Sequence, residues 1–251
     1  MTAAPDTVDG ATSTAALRRK IVLAAADVLE KEGLDAVSTR AVAARAGVFP
    51  PTIFRLFGDK NGLLEAVGEY GFESHLLAGS RPPESDDPIQ DLRGAWDLLI
   101  GFGMRQPAFY LLVFGQSRPG HLSRAGRKAV AELQHMMTRV AAAGRLRMSV
   151  ERAAAVMHAA GVGVVSTIVN APPEFRDLRA VDTTRDIVLA AITTPPAAGS
   201  AHDGAEGGTA GPAMALRAAL AQESASPLRP AEKALLLDWL NRLADVKPGS
   251  A

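Results

Sequence analysis

Residues 38–60, STRAVAARAGVFPPTIFRLFGDK, decide the fold. Ser38 stands where a helix N-cap offers its hydroxyl to an unpaired backbone N–H. Val42, Ala43 and Ala46 recur at helical spacing as one face, small enough for a second helix to cross closely. Gly47 follows where a helix C-terminus takes a left-handed residue. Pro50 restarts the chain at a first-turn position, where its missing N–H costs nothing. Ile53, Phe54 and Phe57 read as the inward face of the second helix, with Thr52, Arg55 and Leu56 pointing out. Two short helices joined at Gly47 make a helix-turn-helix, a unit that lays a helix in the major groove of DNA.

The flanks support this reading. Upstream, LRRKIVLAAADVLEKE (17–32) places Leu17, Ile21, Ala25, Val28 and Leu29 on one helical face and stops at Gly33. Downstream, Asp59 can cap a further helix carrying Leu63, Leu64 and Val67. The ordered segments EKEGLDAVSTRAVA, AARAGV and TIFRLFGDKNGLL resemble, without a gap, the N-terminal domain of the TetR family of bacterial transcriptional regulators. The expected fold is therefore all-α, with an N-terminal three-helix DNA-binding domain and a larger helical ligand-binding and dimerisation domain.

Composition sets the outer limits. A chain of 251 residues that is 47% hydrophobic suits one DNA-binding module plus a sizeable second core. The absence of Cys removes disulfides and thiolate metal sites and is compatible with a cytoplasmic location. No apolar run in the sequence reads as the roughly 18 residues of a membrane span, so no membrane partner is expected. MTAAPDTVDGATSTAA has neither the basic start nor the apolar stretch of a signal peptide, and residues 1–14 read as a disordered lead-in. The formal net charge is zero, which argues against non-specific, chromatin-like binding. Phosphate contacts need only local positive charge, and Arg18, Arg19, Lys20, Arg40, Arg45, Arg55 and Lys60 supply it in the first sixty residues.

Beyond a DNA-binding domain at 15–62, the expected effector and dimerisation domain spans 63–194. After residue 79, GSRPPESDDP reads as a turn-rich loop separating the DNA module from the rest. Asp87, Pro88 and Gln90 open a helix in a capping-box pattern, with Leu92, Trp96, Leu99 and Ile100 along it. PAFYLLVFG (107–115) reads as a short apolar helix, and 123–143 as a helix presenting Val130, Leu133, Met137 and Val140. Ser149 caps a helix over 150–171 whose residues are apolar almost all round, and such a helix is expected to be buried on most sides. Asp182 caps another, to about Thr193. The pair 150–171 and 182–193 resembles the helices that form the four-helix homodimer interface of the family, although 150–171 also suits an ordinary core helix. A Gly-, Pro- and Ala-rich linker follows at 195–212. A helical extension at 213–251 carries Leu235, Leu236, Trp239, Leu240 and Leu243 on one broad face, and the family pattern does not explain it. No internal repeat is present.

The resemblance implies that the helix at Pro50 enters the major groove while the helix at Ser38 crosses the backbone. Thr39 and Arg40 then face phosphates from a helix N-terminus, and Lys60 matches a phosphate-contacting lysine of the family. Arg55 is the only charged group on the recognition helix, suited either to guanine readout or to a phosphate. Three positions depart from the family pattern. Phe49 replaces a capping Ser, Phe54 a Tyr whose hydroxyl reaches phosphate, and Leu56 a polar residue. The groove-facing surface is then Pro50, Pro51, Thr52 and Leu56, which can touch thymine methyls but forms few hydrogen bonds.

The family also implies a small effector inside the second domain. Trp96, Phe102, Phe109, Tyr110, Phe114, Met137, His158 and Thr167 are the candidate lining residues, as pocket or as plain core, with Met104, Met136, Gln116, His121, Gln134 and Asn170 as further options. No carboxylate cluster points to a polycation, so a mostly apolar effector fits better. His75, His121, His135, His158 and His202 show no metal-ligand spacing, so no metal or cofactor is expected. No catalytic motif is found, and no enzyme activity is expected. The whole reads as a homodimeric regulator, most simply a repressor, binding a palindromic double-stranded DNA operator and released by the effector. A helical ligand-binding protein with a vestigial head is the rival, supported only by Phe49, Phe54 and Leu56.

Overall fold

The computed structural model describes residues 7–77, 84–115, 122–194, 209–222 and 228–245. Its helices are α1 (Thr7–Glu32), α2 (Thr39–Ala46), α3 (Pro50–Phe57), α4 (Lys60–Gly71), α5 (Pro88–Arg105), α6 (Pro107–Tyr110), α7 (Arg124–Ala142), α8 (Val150–Asn170), α9 (Arg179–Ile192), α10 (Ala210–Gln222) and α11 (Pro230–Ala244). Wider π-type turns extend α4 over Phe72–Leu77 and α6 over Leu111–Gly115. The protein is all-α; among the described residues, the only β pairing is an isolated bridge between Leu146 and Thr193. Gln116, His121 and His202, most of the expected linker and part of the 79–88 loop lie outside the described residues.

Two compact units divide the chain, residues 1–81 with 101–127 and residues 82–100 with 128–251. In the first, Ile21, Val28 and Leu29 of α1, Val42 and Ala46 of α2, Ile53 of α3 and Leu63 and Val67 of α4 are all buried. Each large aliphatic side chain of that set contributes about 1.5–3 kcal/mol by leaving water. The core therefore forms along the stripes expected from their spacing. α1 nevertheless starts at Thr7, inside the stretch expected to be a disordered lead-in. Once the amphipathic part has nucleated a helix, an Ala- and Thr-containing lead extends it at one hydrogen bond per residue.

In the second unit, α8 is capped by Ser149, whose hydroxyl accepts the Arg152 N–H at 3.3 Å. α5 packs on it closely: a Cβ on Gly161 would lie 3.0 Å from Leu99 and 3.6 Å from the Trp96 ring. α8 is not buried on most sides, as its composition suggested. Ala155, Val156, Ala159, Gly163 and Thr167 are exposed along one face. By length and apolarity α8 could cross a membrane, contrary to the expectation that no run reaches that length, and a third of its most apolar window is buried within the protein. α9 begins earlier than expected, and Asp182 is not its cap. The Asp177 carboxylate accepts the Arg179 N–H at 3.0 Å, while Asp182 pairs with Arg185 at 2.9 Å.

The C-terminal extension folds as a hairpin of α10 and α11 within this second unit. Asp245 accepts the Ser149 N–H at 3.0 Å and its hydroxyl at 2.8 Å, and Arg217 pairs with Glu151 at 2.8 Å. The broad apolar face expected of α11 is divided. Leu240 is buried, whereas Leu235, Trp239 and Leu243 are exposed.

Candidate nucleic-acid interface

α2 opens on an extended Ser38 whose Oγ accepts the Ala41 N–H at 3.1 Å. The N–H groups of Thr39 and Arg40 precede the first helical hydrogen bond and have no partner within α2. Arg40 is exposed, so a guanidinium and two backbone donors stand together at the positive end of the helix dipole, where an anion is favoured. At the other end Gly47 takes φ 63° and ψ 42°, and the N–H groups of Gly47 and Val48 return to Ala44 and Ala43 at 3.2 and 3.0 Å. This left-handed stop fixes the angle at which α3 departs.

α3 follows from an extended Phe49 that gives no side-chain cap. A missing cap normally strands donors, but here Pro50 and Pro51 have no N–H, and the Thr52 N–H donates to the Phe49 carbonyl at 2.9 Å. Two consecutive prolines thus do the work of the absent Ser, a signal already present in the sequence. The outward face differs from expectation at two positions. Phe54, expected inward, is 51% exposed, and Leu56, expected outward, is half-buried. A helix turning 100° per residue from a buried Ile53 carries Leu56 and Phe57 to the core side and turns Phe54 and Arg55 away. The exposed tip is therefore Phe49, Pro50, Pro51, Phe54 and Arg55, with Thr52 half-buried.

The basic residues of this region divide into two sets. Arg45 is drawn back onto α1, bonded to Asp27 and, at 2.6 Å, to Glu32. The Lys31 and Arg45 contacts hold the Asp27 carboxyl below its usual range. Arg18 lies over the Phe57 ring, 4.6 Å from its centroid. Arg19, Lys20, Arg40, Arg55 and Lys60 are exposed. The Lys20 ammonium reaches within 4.0 Å of where a Gly47 Cβ would stand, beside the turn. Lys60 is the first residue of α4, which Asp59 caps by accepting the Gly62 N–H at 2.7 Å. A Cβ on Gly62 would run into the Phe57 carbonyl oxygen, so glycine sets the spacing of α3 and α4.

The candidate effector residues fall in both units. In the first, Phe102, Phe109, Tyr110 and Phe114 are buried, with the Tyr110 ring 6.0 Å from Phe102 and 5.0 Å from Phe114. Burial pushes the Tyr110 hydroxyl well above its ordinary pKa. In the second, Met137 and Trp96 are buried, and the Trp96 indole N–H has no hydrogen-bond partner among the described residues. His158 is half-buried, and burial lowers its pKa. Thr167 lies on the exposed face of α8 and donates to the Gly163 carbonyl at 2.8 Å.

Comparison with known proteins agrees with this geometry. Residues 21–67 match the tetR family of bacterial regulatory proteins. Among solved structures, a tetR-family regulator from Shewanella sp. PV-4 is 18% identical at a TM-score of 0.55, over 71% of this chain and 99% of its own. A protein of unknown function from Rhodococcus sp. RHA1 is 24% identical at 0.55, over 71% and 96%. A TetR-family regulator from Streptomyces coelicolor is 21% identical at 0.52, over 69% and 96%. At these identities the structural likeness establishes the fold. A search of curated proteins finds no match.

Proposed function

We propose, from the premise that this chain carries the DNA-binding head of the TetR family on a TetR-family regulator fold, that it is a homodimeric transcriptional repressor of a palindromic operator. The observation that carries the reading is the outward face of the helix-turn-helix: exposed Arg40, Arg55 and Lys60 lie on three successive helices, while Arg45 is neutralised against α1. Thr39 and Arg40 hold phosphate at the start of α2, Lys60 does so at the start of α4, and α3 enters the major groove. One head reads a half-site too short for useful specificity, so two heads related by a two-fold axis are needed.

The small exposed face of α8 (Ala155, Val156, Ala159, Gly163) and the exposed Ile187 and Ala190 of α9 suit the dimer contact, since small residues let helices approach closely. The unpartnered Trp96 N–H in an apolar setting suits an effector that is mostly apolar and carries one hydrogen-bond acceptor. Such an effector releases DNA if it favours a head spacing that misses the two grooves. A differential affinity of about 1–3 kcal/mol gives roughly 5- to 150-fold derepression.

Replacing Arg55 and Lys60 together by Ala tests the reading against a vestigial head. Loss of DNA binding with the dimer and helical content intact supports the regulator. A wild-type protein that binds no duplex, or a double variant that binds unchanged, refutes it.

A further inference from the structure

The geometry points to a particular base-reading chemistry: the α3 tip recognises the 5-methyl groups of thymine rather than the hydrogen-bonding edges of the bases. This deepens the regulator reading and rests on it.

The tip is apolar and offered to solvent. Phe49 is 83% exposed and Phe54 51%, with Pro50 and Pro51 exposed between them. Four exposed apolar residues within six positions, 49–54, mark a contact site. Hydrogen-bonding capacity there is small. Pro50 and Pro51 have no N–H, and the Thr52 N–H is committed to Phe49. The start of α3 therefore cannot hold a phosphate through its backbone, as α2 can. Among the first five residues of α3, only Thr52 has a polar side chain, and it is half-buried. Arg55 is left as the single charged reader.

Charge selects the partner. The apolar tip is flanked by cations: Arg55 follows Phe54 directly, Lys60 opens α4, and the Lys20 ammonium approaches Gly47, two residues before Phe49. A polyanion fits this surface better than an apolar protein groove. In the major groove, the apolar group on a base edge is the thymine methyl. Phe49 and Phe54 supply what that methyl can gain from contact, namely removal from water.

Deoxyuridine in place of thymidine removes the methyl and keeps the pairing edge. The test is to take an operator recovered by selection from random duplexes, and to replace thymidines by deoxyuridine one position at a time. Wild-type protein is expected to lose about fourfold per contacted methyl, and roughly fifteenfold when one is removed from each half-site. Phe49→Ala and Phe54→Ala alter exposed side chains and should preserve fold and dimer. In the double variant, thymidine and deoxyuridine operators should bind within about twofold of each other. At a contacted position rewritten as a C·G pair, 5-methylcytosine should bind about fourfold more tightly than cytosine.

Equal binding of both operators by wild type would overturn the methyl reading and leave the regulator reading standing. An undiminished deoxyuridine penalty in the double variant would overturn the assignment to Phe49 and Phe54. Loss of a higher oligomer in Phe49→Ala, with DNA affinity unchanged, would make the tip a protein contact instead. Failure to recover any operator would remove the regulator reading and this inference together.

Discussion

The carboxylate of Asp245 receives both the backbone N–H and the hydroxyl of Ser149, so the residue that ends α11 holds the residue that caps α8. Ser149 is buried, and the Arg152 guanidinium also reaches Asp245, at 3.4 Å. The extension is thereby part of the second unit rather than a loose tail. Asp245→Ala strands two buried donors and is expected to cost about 1–3 kcal/mol. Urea unfolding monitored by helical signal checks this, and an unchanged midpoint would contradict it.

Gly62→Ala is expected to disable the head. The added Cβ meets the backbone carbonyl of Phe57, which cannot rotate away as a side chain could. α3 and α4 must part, and DNA affinity should fall by at least about tenfold, with a stability loss of roughly 1–3 kcal/mol. Gel shift and thermal unfolding measure the two effects.

Arg45 and its neighbours should differ in salt dependence. Arg40→Ala, Arg55→Ala and Lys60→Ala should each flatten the plot of log affinity against log salt by about 0.9 if each removes one phosphate contact. Arg45→Ala should leave that slope unchanged, because Asp27 and Glu32 already hold the guanidinium. An Arg45 slope change equal to the others would contradict the division of the cations.

Acid should weaken the fold through His158 and Asp91. Burial lowers the His158 pKa below 6.5, so the unfolded chain takes its proton first; stability is full above that value and falls as the pH drops through the folded one. Burial pushes Asp91 up, but bonds from Ser85 and Arg139 outweigh it and hold the carboxyl below 3.8, so its contribution is lost only at lower pH. Unfolding free energies measured from about pH 7 to 5 should decline, and His158→Gln should flatten that arm.

The local devices of the head were legible in the sequence because each spans only a few residues. Ser38 and Asp59 as caps and Gly47 as a left-handed stop depend on neighbours three or four positions away. Apolar periodicity likewise gave the cores of α1, α2 and α4. At α3 the expected face fails for Phe54 and Leu56: apolar residues at 53, 54, 56 and 57 exceed what one face of an eight-residue helix can bury, and spacing alone does not say which is left out. The pairing of Arg45 and the anchoring of Asp245 rest on partners far along the chain, which periodicity does not encode. The exposed face of α8 was hidden because its small apolar residues read the same whether they meet a core or a second subunit.

The most direct measurement is selection of random duplex DNA by the purified protein at about physiological salt, followed by sequencing. A two-fold regulator should enrich an inverted repeat whose half-sites lie about one helical turn, or a multiple of one, apart. Recovery of unrelated sequences with no repeated half-site would contradict it.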